Sequence, residues 1–146
     1  METIQFDSGI REFNLNGLGV LRFNPCDPNL YTRFMEAVDS LADLEKELSR
    51  QAKAASEDAR GTTILKLLKD ADRQMKQTLS HVFGEGNDFE VLLGGVNLLA
   101  VGNNGQRVIT NLFAALQPVL LLGAEACARQ QTDAAVRQAQ ARRAAQ

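Results

Sequence analysis

The stretch "FNLNGLGVLRFNPCDP", residues 13–28, decides the fold, because it predicts a β-hairpin that leads directly into a helix. Asn16 and Gly17 separate two segments of alternating apolar residues, and this dipeptide tolerates the positive φ angles of a type I′ hairpin turn. The alternation divides the second strand between two faces, with Leu18, Val20 and Arg22 on one face and Leu21 and Phe23 on the other.

A two-stranded ribbon is marginally stable alone, so the predicted hairpin must pack against helices or pair with another chain. The segment "TIQF", residues 3–6, predicts a third and weaker strand. The N-terminal sequence has no basic region followed by an apolar one, so we expect no signal peptide.

The segment after the hairpin predicts a helix that runs to about Ala55. Asp27 is a favourable N-cap residue, and Pro28 suits the first helical position, where its missing N–H costs nothing. Apolar residues then recur at spacings of three and four and share one helix face: Leu30, Phe34, Val38, Leu41, Leu44 and Leu48.

A second helix is expected to start at Ser56, with Gly61 able to interrupt it and Gly84 ending it in a left-handed conformation. Its apolar face consists of Ile64, Leu68, Ala71, Met75, Leu79 and Val82. Two amphipathic helices joined by a short polar segment predict an antiparallel helical hairpin. The alternative is one long helix that passes through Ser56.

A third helix is expected from about Gly105 to Leu122, with Asn104 as its cap and Pro118 as a kink or as the end of its regular part. Its apolar face is broad: Val108, Ile109, Leu112, Phe113, Leu116, Val119 and Leu120. The apolar stretch is too short and too polar for a transmembrane helix, so a buried helix or one that meets a partner is favoured.

The predicted fold class is therefore α+β and mostly α, with an N-terminal β-hairpin packed on a helical hairpin and a further C-terminal helix. Residues 1–122 are expected to form one domain, followed at 123–146 by a basic tail rich in Ala, Gln and Arg that is helical or disordered. The tail carries four arginines against Glu125 and Asp133, but the net charge of the chain is only −2 and implies no charged partner.

The stretch "HVFGEGNDFEVLLGG", residues 81–95, contains four glycines and is the first candidate for a chemical site. It lacks the lysine of a phosphate-binding loop and the acidic spacing of a calcium loop. Its residues favour turns and helix ends instead: a helix end at Gly84, a short helical turn started by Asn87 or Asp88, and a second turn at Gly94 and Gly95.

The remaining chemistry-bearing residues also favour structural roles. His81 is the sole histidine and has no cysteine or carboxylate at metal-ligand spacing. Cys26 and Cys127 are expected as reduced thiols that pack or cap. We therefore expect no catalytic residues, no cofactor, no metal and no membrane segment. The arginines of the tail lack aromatic residues for base stacking, so nucleic acid is not the expected partner.

The order of these segments resembles the tail assembly chaperones of long-tailed, siphovirus-like bacteriophages and prophages. The resemblance covers about residues 17–118 and is carried by "FNPCDP" before a helix and by the "FGEG…GG…N" element after the second helix. It implies a non-enzymatic protein of the bacterial host cytoplasm that binds the tape measure protein, helps to recruit tail tube subunits and is absent from the mature virion.

The predicted contact surface for these partners lies on the last helix, at Val108, Ile109, Leu112, Phe113, Leu116 and Leu120. A β-pairing edge is predicted at Leu18, Val20 and Phe23. Both surfaces would also allow a homo-oligomer. Two alternatives stay open: a structural virion protein, such as a head–tail connector or tail terminator, and a small regulatory protein that binds nucleic acid through its tail.

Overall fold

The computed structural model describes residues 1–58 and 60–145. The protein is α+β and mostly α, as the sequence predicts. Along the chain its elements are β1 (Arg11–Leu15), β2 (Gly19–Phe23), α1 (Pro28–Ala54), α2 (Arg60–Phe83), α3 (Phe89–Leu92) and α4 (Val108–Ala144).

Strands β1 and β2 form the predicted antiparallel hairpin, with Leu15 opposite Gly19. Asn16 and Gly17 have φ angles of 54° and 73°, the positive values that a type I′ turn requires. The Leu18 N–H closes the turn by donating to the Leu15 carbonyl at 2.9 Å. The predicted faces are confirmed: Leu21 and Phe23 are buried, and the side chains of Leu18, Val20 and Arg22 are exposed.

The predicted third strand at residues 3–6 is wrong, because the exposed segment 1–10 contains no strand. Just before β1, Gly9 has a φ of 73°, which breaks the extended geometry. The Ser8 carbonyl accepts a hydrogen bond of 3.1 Å from the Asn24 side chain and not from a strand. The sheet in the described residues therefore has two strands.

Helices α1 and α2 form a helical hairpin, and the break between them excludes a single long helix. The Asp27 carboxylate caps α1 by accepting from the Asn29 N–H at 2.9 Å. Ser56 does not start α2 as predicted. The residue before it, Ala55, has an extended backbone, and the helix begins at Arg60. Gly61 lies in the first turn of α2 and does not interrupt it.

The turns after α2 follow the sequence prediction. Gly84 ends α2 with a φ of 111°, and Gly94 and Gly95 adopt φ angles of 63° and 75°. Between them, the Asp88 carboxylate accepts from the Glu90 N–H at 3.0 Å and thereby starts α3. The end of α2 is also bound from α1, because the Arg33 guanidinium donates to the Val82 carbonyl through Nε and Nη2.

Helix α4 differs from its prediction at both ends. Asn104 does not cap it, because the Asn104 side chain bonds to that of Asn111 and a short bridge between Val101 and Arg107 keeps residues 102–107 in a turn. The helix does not end near Leu122 but continues past Pro118 to Ala144. High helix propensity in the Ala-rich and Gln-rich tail accounts for this length.

The predicted domain boundary at residue 123 falls inside α4, which is unbroken there. Beyond it the helix is largely exposed. By length and composition α4 could cross a membrane, and 28% of its most apolar stretch is buried inside the protein. One such helix is weak evidence for a membrane segment, because helices of water-soluble proteins can have the same length and composition.

The core is aromatic where the hairpin meets the helices. The Phe83 ring lies 5.1 Å from Phe23 and 5.8 Å from Phe89 between ring centroids, and Phe34 lies 5.2 Å from Phe113. These rings join β2, α1, α2, α3 and α4 in one cluster. Aromatic contacts of this kind add to the free energy gained from burying apolar surface.

A buried asparagine fastens the hairpin to the helices. The Asn87 side chain donates 2.9 Å hydrogen bonds to the carbonyls of Arg22 and Phe83, and it accepts one of 2.9 Å from the Arg22 N–H. It thus binds the outer edge of β2 as a neighbouring strand would. The Asn87 carbonyl in turn accepts from the Ser80 hydroxyl at 3.0 Å.

We predict that Asn87→Ala lowers the free energy of unfolding by about 3 kcal/mol, because it leaves buried backbone groups without partners. Urea unfolding followed by circular dichroism measures this change. The matched control is Asn103→Ala at an exposed turn position, for which a change below about 0.5 kcal/mol is expected. Equal effects of the two substitutions would refute the role given to Asn87.

Candidate protein-binding groove

A groove of about 580 Å³ lies between the tip of the hairpin, α3 with the turn after it, and the first turns of α4. Its lining comes from three separate parts of the chain. The lining residues are Asn14, Leu15, Asn16, Leu18, Leu92, Leu93, Val96, Val108, Asn111, Leu112 and Ala115.

Helix α4 contributes to the groove through a stripe beside the one that it buries. The buried stripe belongs to the core and consists of Ile109, Phe113, Leu116 and Leu120. Val108, Leu112 and Ala115, at spacings of four and three, form the adjacent stripe that lines the groove. The same apolar helix therefore serves the core with one stripe and the groove with the next.

Two glycines bring the hairpin close to the opposite wall. A Cβ on Gly19 would lie 2.8 Å from Cδ2 of Leu92, and a Cβ on Gly94 would lie 3.1 Å from Cδ1 of Leu18. Gly94 also has a positive φ, so a side chain there would meet both backbone strain and the Leu18 side chain. These close approaches place Leu18 at the rim of the groove.

None of the residues that line the groove carries an ionisable side chain. Its polar groups are the amides of Asn14, Asn16 and Asn111, which can donate and accept hydrogen bonds without a net charge. A charged ligand group would lose its hydration here without gaining an opposite charge in the lining. The groove therefore favours an apolar ligand with a few uncharged polar groups.

The contact surface predicted from the sequence is corrected by burial. Five of its nine residues are at most 8% exposed, so a partner cannot reach them in this conformation: Phe23, Ile109, Phe113, Leu116 and Leu120. Of the other four, Leu18, Val108 and Leu112 line the groove, and Val20 is partly exposed on β2 outside it.

The predicted β-pairing edge is corrected as well. The Arg22 N–H and carbonyl on the outer edge of β2 are already bonded to Asn87, so a strand of another protein cannot pair there. Phe23 faces inward and stacks on Phe13, with 4.7 Å between ring centroids. Both strands of the described sheet have an outer edge without a neighbouring strand, and on the β2 edge the Asn87 side chain occupies the backbone groups of Arg22.

Sequence reasoning missed the groove wall formed by Leu92, Leu93 and Val96. Leu92 and Leu93 belong to the glycine-containing stretch 81–95, whose residues predict only turns and helix ends, and Val96 directly follows it. A usable signal was present, since "EVLLGGV" places several large apolar residues between two turns. Apolar residues in so short a segment must be covered by other elements or remain exposed.

A second cavity of about 370 Å³ lies beside α2 and α3 and contains the most buried charged residue of the described chain, Lys76. Its ammonium group donates to Asp72 at 3.0 Å, to Glu90 at 2.8 Å and to the Val96 carbonyl at 2.9 Å. All three donors are therefore used. Burial opposes the charged form, but the hydrogen bonds to Glu90 and Asp72 outweigh it and raise the pKa of Lys76 above its ordinary value of 10.5.

The Lys76 cluster is structural in character. The second oxygen of Asp72 accepts from the Leu98 N–H at 2.8 Å, so this carboxylate also binds the backbone two residues after Val96, which lines the groove. A lysine kept charged with every donor occupied cannot serve as a general base. The cluster thus fixes the segment that runs from Glu90 to Leu98.

The other titratable candidates do not converge. His81 is exposed in the last turn of α2. Over residues 1–58 and 60–145, no three side chains of His, Cys, Asp or Glu are placed to hold a metal ion. Cys26 and Cys127 are free thiols and half-buried. The groove is thus the feature whose shape and chemistry suit a ligand best.

Comparison with known proteins adds no assignment. No protein-family model, curated protein or solved structure matches the chain.

We predict that Lys76→Met lowers the free energy of unfolding by about 2–3 kcal/mol near neutral pH, because it leaves Asp72 charged and partly buried without its partner. The control is Lys69→Met, at an exposed lysine on the same helix.

The same ion pairs predict a pH dependence of stability. Since the pKa of Lys76 is raised in the folded state, its contribution to the free energy of unfolding is complete below about pH 10 and is lost as the pH rises through the folded-state value. Urea unfolding should therefore give a smaller difference between wild type and Lys76→Met at about pH 11 than at about pH 7. A difference that does not shrink at high pH would contradict this account.

Proposed function

We propose that the protein is a non-enzymatic tail assembly chaperone of a long-tailed bacteriophage or prophage. In this proposal the groove binds an apolar helical segment of the tape measure protein in the bacterial host cytoplasm, and the bound complex helps to recruit tail tube subunits. Two observations support the proposal: the sequence resemblance and the chemistry of the groove.

The observation that carries the proposal is the apolar groove without an ionisable lining residue. A helix that lies in a groove buries side chains at spacings of three and four, and it needs an apolar floor with polar groups at the margin. Here Leu18 is 52% exposed and Val96 is 40% exposed, so apolar surface remains for a partner to cover.

The resemblance and the groove involve the same part of the chain. The "FGEG…GG…N" element that resembles the chaperones spans residues 83–97 and supplies Leu92, Leu93 and Val96 to the groove wall. The same element contains Asn87, which fastens the hairpin. A sequence element that fits the family thus also builds the surface that would bind the partner.

Two adjacent exposed alanines of α4 give a matched test, since Ala115 lines the groove and Ala114 does not. We predict that Ala115→Glu weakens binding to the tape measure protein of the same phage by roughly thirtyfold, because a carboxylate buried without a partner costs about 2 kcal/mol. Ala114→Glu should bind as the wild type does. Co-expression followed by affinity purification and titration calorimetry measures both.

A second matched pair tests the hairpin side of the groove. Leu18→Asp should reduce binding, whereas Leu65→Asp, at a leucine that is 70% exposed on α2 and outside the groove, should not. Circular dichroism of each variant confirms that it is folded. Wild-type binding by both folded groove variants would remove the groove as the contact surface.

A further inference from the structure

The middle of α4, at Gly123, lies against the segment that joins β2 to α1. A Cβ added to Gly123 would be 1.8 Å from the Pro25 carbonyl oxygen and 2.5 Å from its carbonyl carbon. Only a glycine allows two backbones to approach so closely. This contact fixes the position of α4 at the residue where its exposed half begins.

Two cysteines flank that contact. Cys26 directly follows Pro25, and Cys127 lies one helical turn after Gly123 on the same side of α4. The Cys26 backbone is itself held, because its N–H donates to the Asn24 side-chain oxygen at 2.8 Å. Both thiols are half-buried, and the contact between Gly123 and Pro25 brings their two segments of the chain together.

From this juxtaposition we propose that Cys26 and Cys127 are an oxidation site, at which an intramolecular disulfide staples the exposed half of α4 to the segment before α1. The proposal does not depend on the chaperone function. In the reduced protein, the contact at Gly123 positions the helix. In the oxidised protein, a covalent bond one turn further along adds to that contact.

A disulfide-containing oxidant such as oxidised glutathione completes the reaction. One cysteine thiolate attacks a glutathione sulfur, which forms a mixed disulfide and releases one reduced glutathione. The second protein thiol, after losing its proton, attacks the sulfur of the first cysteine and releases the other glutathione. The protein loses two protons and two electrons, and the oxidant gains them as it becomes two thiols.

The environment of the thiols predicts how the reaction depends on pH. Burial, together with the neighbouring Cys127 thiol, raises the pKa of the Cys26 thiol above its ordinary value. Because the thiolate is the reactive form, a raised pKa keeps this thiol protonated near neutral pH. Disulfide closure should therefore be slow near neutral pH and become faster as the pH rises.

The test uses the full chain incubated with oxidised glutathione and analysed by intact mass and peptide mapping without reductant. The expected product is a monomer lighter by two hydrogen atoms, in which the peptides of Cys26 and Cys127 are joined. Cys26→Ser and Cys127→Ser should each accumulate one glutathione adduct instead. Chains that carry a glutathione on both cysteines, or disulfide-linked dimers, would overturn the proposal.

Hydrogen exchange tests the structural consequence. In the oxidised protein, amides of α4 around Cys127 should exchange more slowly than in the reduced protein, and a reductant should restore the faster rate. The double variant with Cys26→Ser and Cys127→Ser provides the control, since it has no thiol for the oxidant to modify and its exchange should stay unchanged. Equal exchange in oxidised and reduced wild type would show that the bond does not staple the helix.

Discussion

The three hydrogen bonds of the Asn87 side chain connect the outer edge of β2 to the end of α2. A hairpin of two strands has too little buried surface to be stable alone, so its position depends on what holds its edge. Asn87 satisfies the Arg22 N–H and carbonyl there and leaves the hairpin tip beside α3. The position of Leu18, and with it one wall of the groove, follows from this attachment.

Asn87 is at one end of the segment 87–98, and the rest of this segment is bound by Lys76 and Asp72 of α2. Lys76 binds Glu90 and the Val96 carbonyl, and Asp72 binds the Leu98 N–H. The segment from residue 87 to residue 98 is thereby fastened to β2 at one end and to α2 at the other. We infer that the groove exists before a partner arrives, which lowers the conformational entropy that binding would cost.

Periodicity and turn chemistry predicted the fold class, the hairpin, α1 and the turns at Gly84 and Gly94, because each depends on neighbouring residues. The contact surface on α4 and the role of Asn87 were not predicted correctly, because both depend on residues far apart in sequence. Ile109 and Leu112 are both apolar residues of α4, and only the packing of other elements decides that Ile109 is in the core and Leu112 lines the groove. Similarly, the sequence offers Asn87 as a helix cap, and its pairing with Arg22 requires a contact across 65 residues.

The central claim is that the groove, and not the core face of α4, binds an apolar helix of the tape measure protein. Methyl NMR of leucine-labelled and valine-labelled protein, alone and in complex with that partner, tests it most directly. The account predicts that the signals of Leu18, Val96 and Leu112 shift, while those of Leu65 and Val136 keep their positions. Failure to form a complex, or a complex in which the groove signals are unchanged, would contradict it.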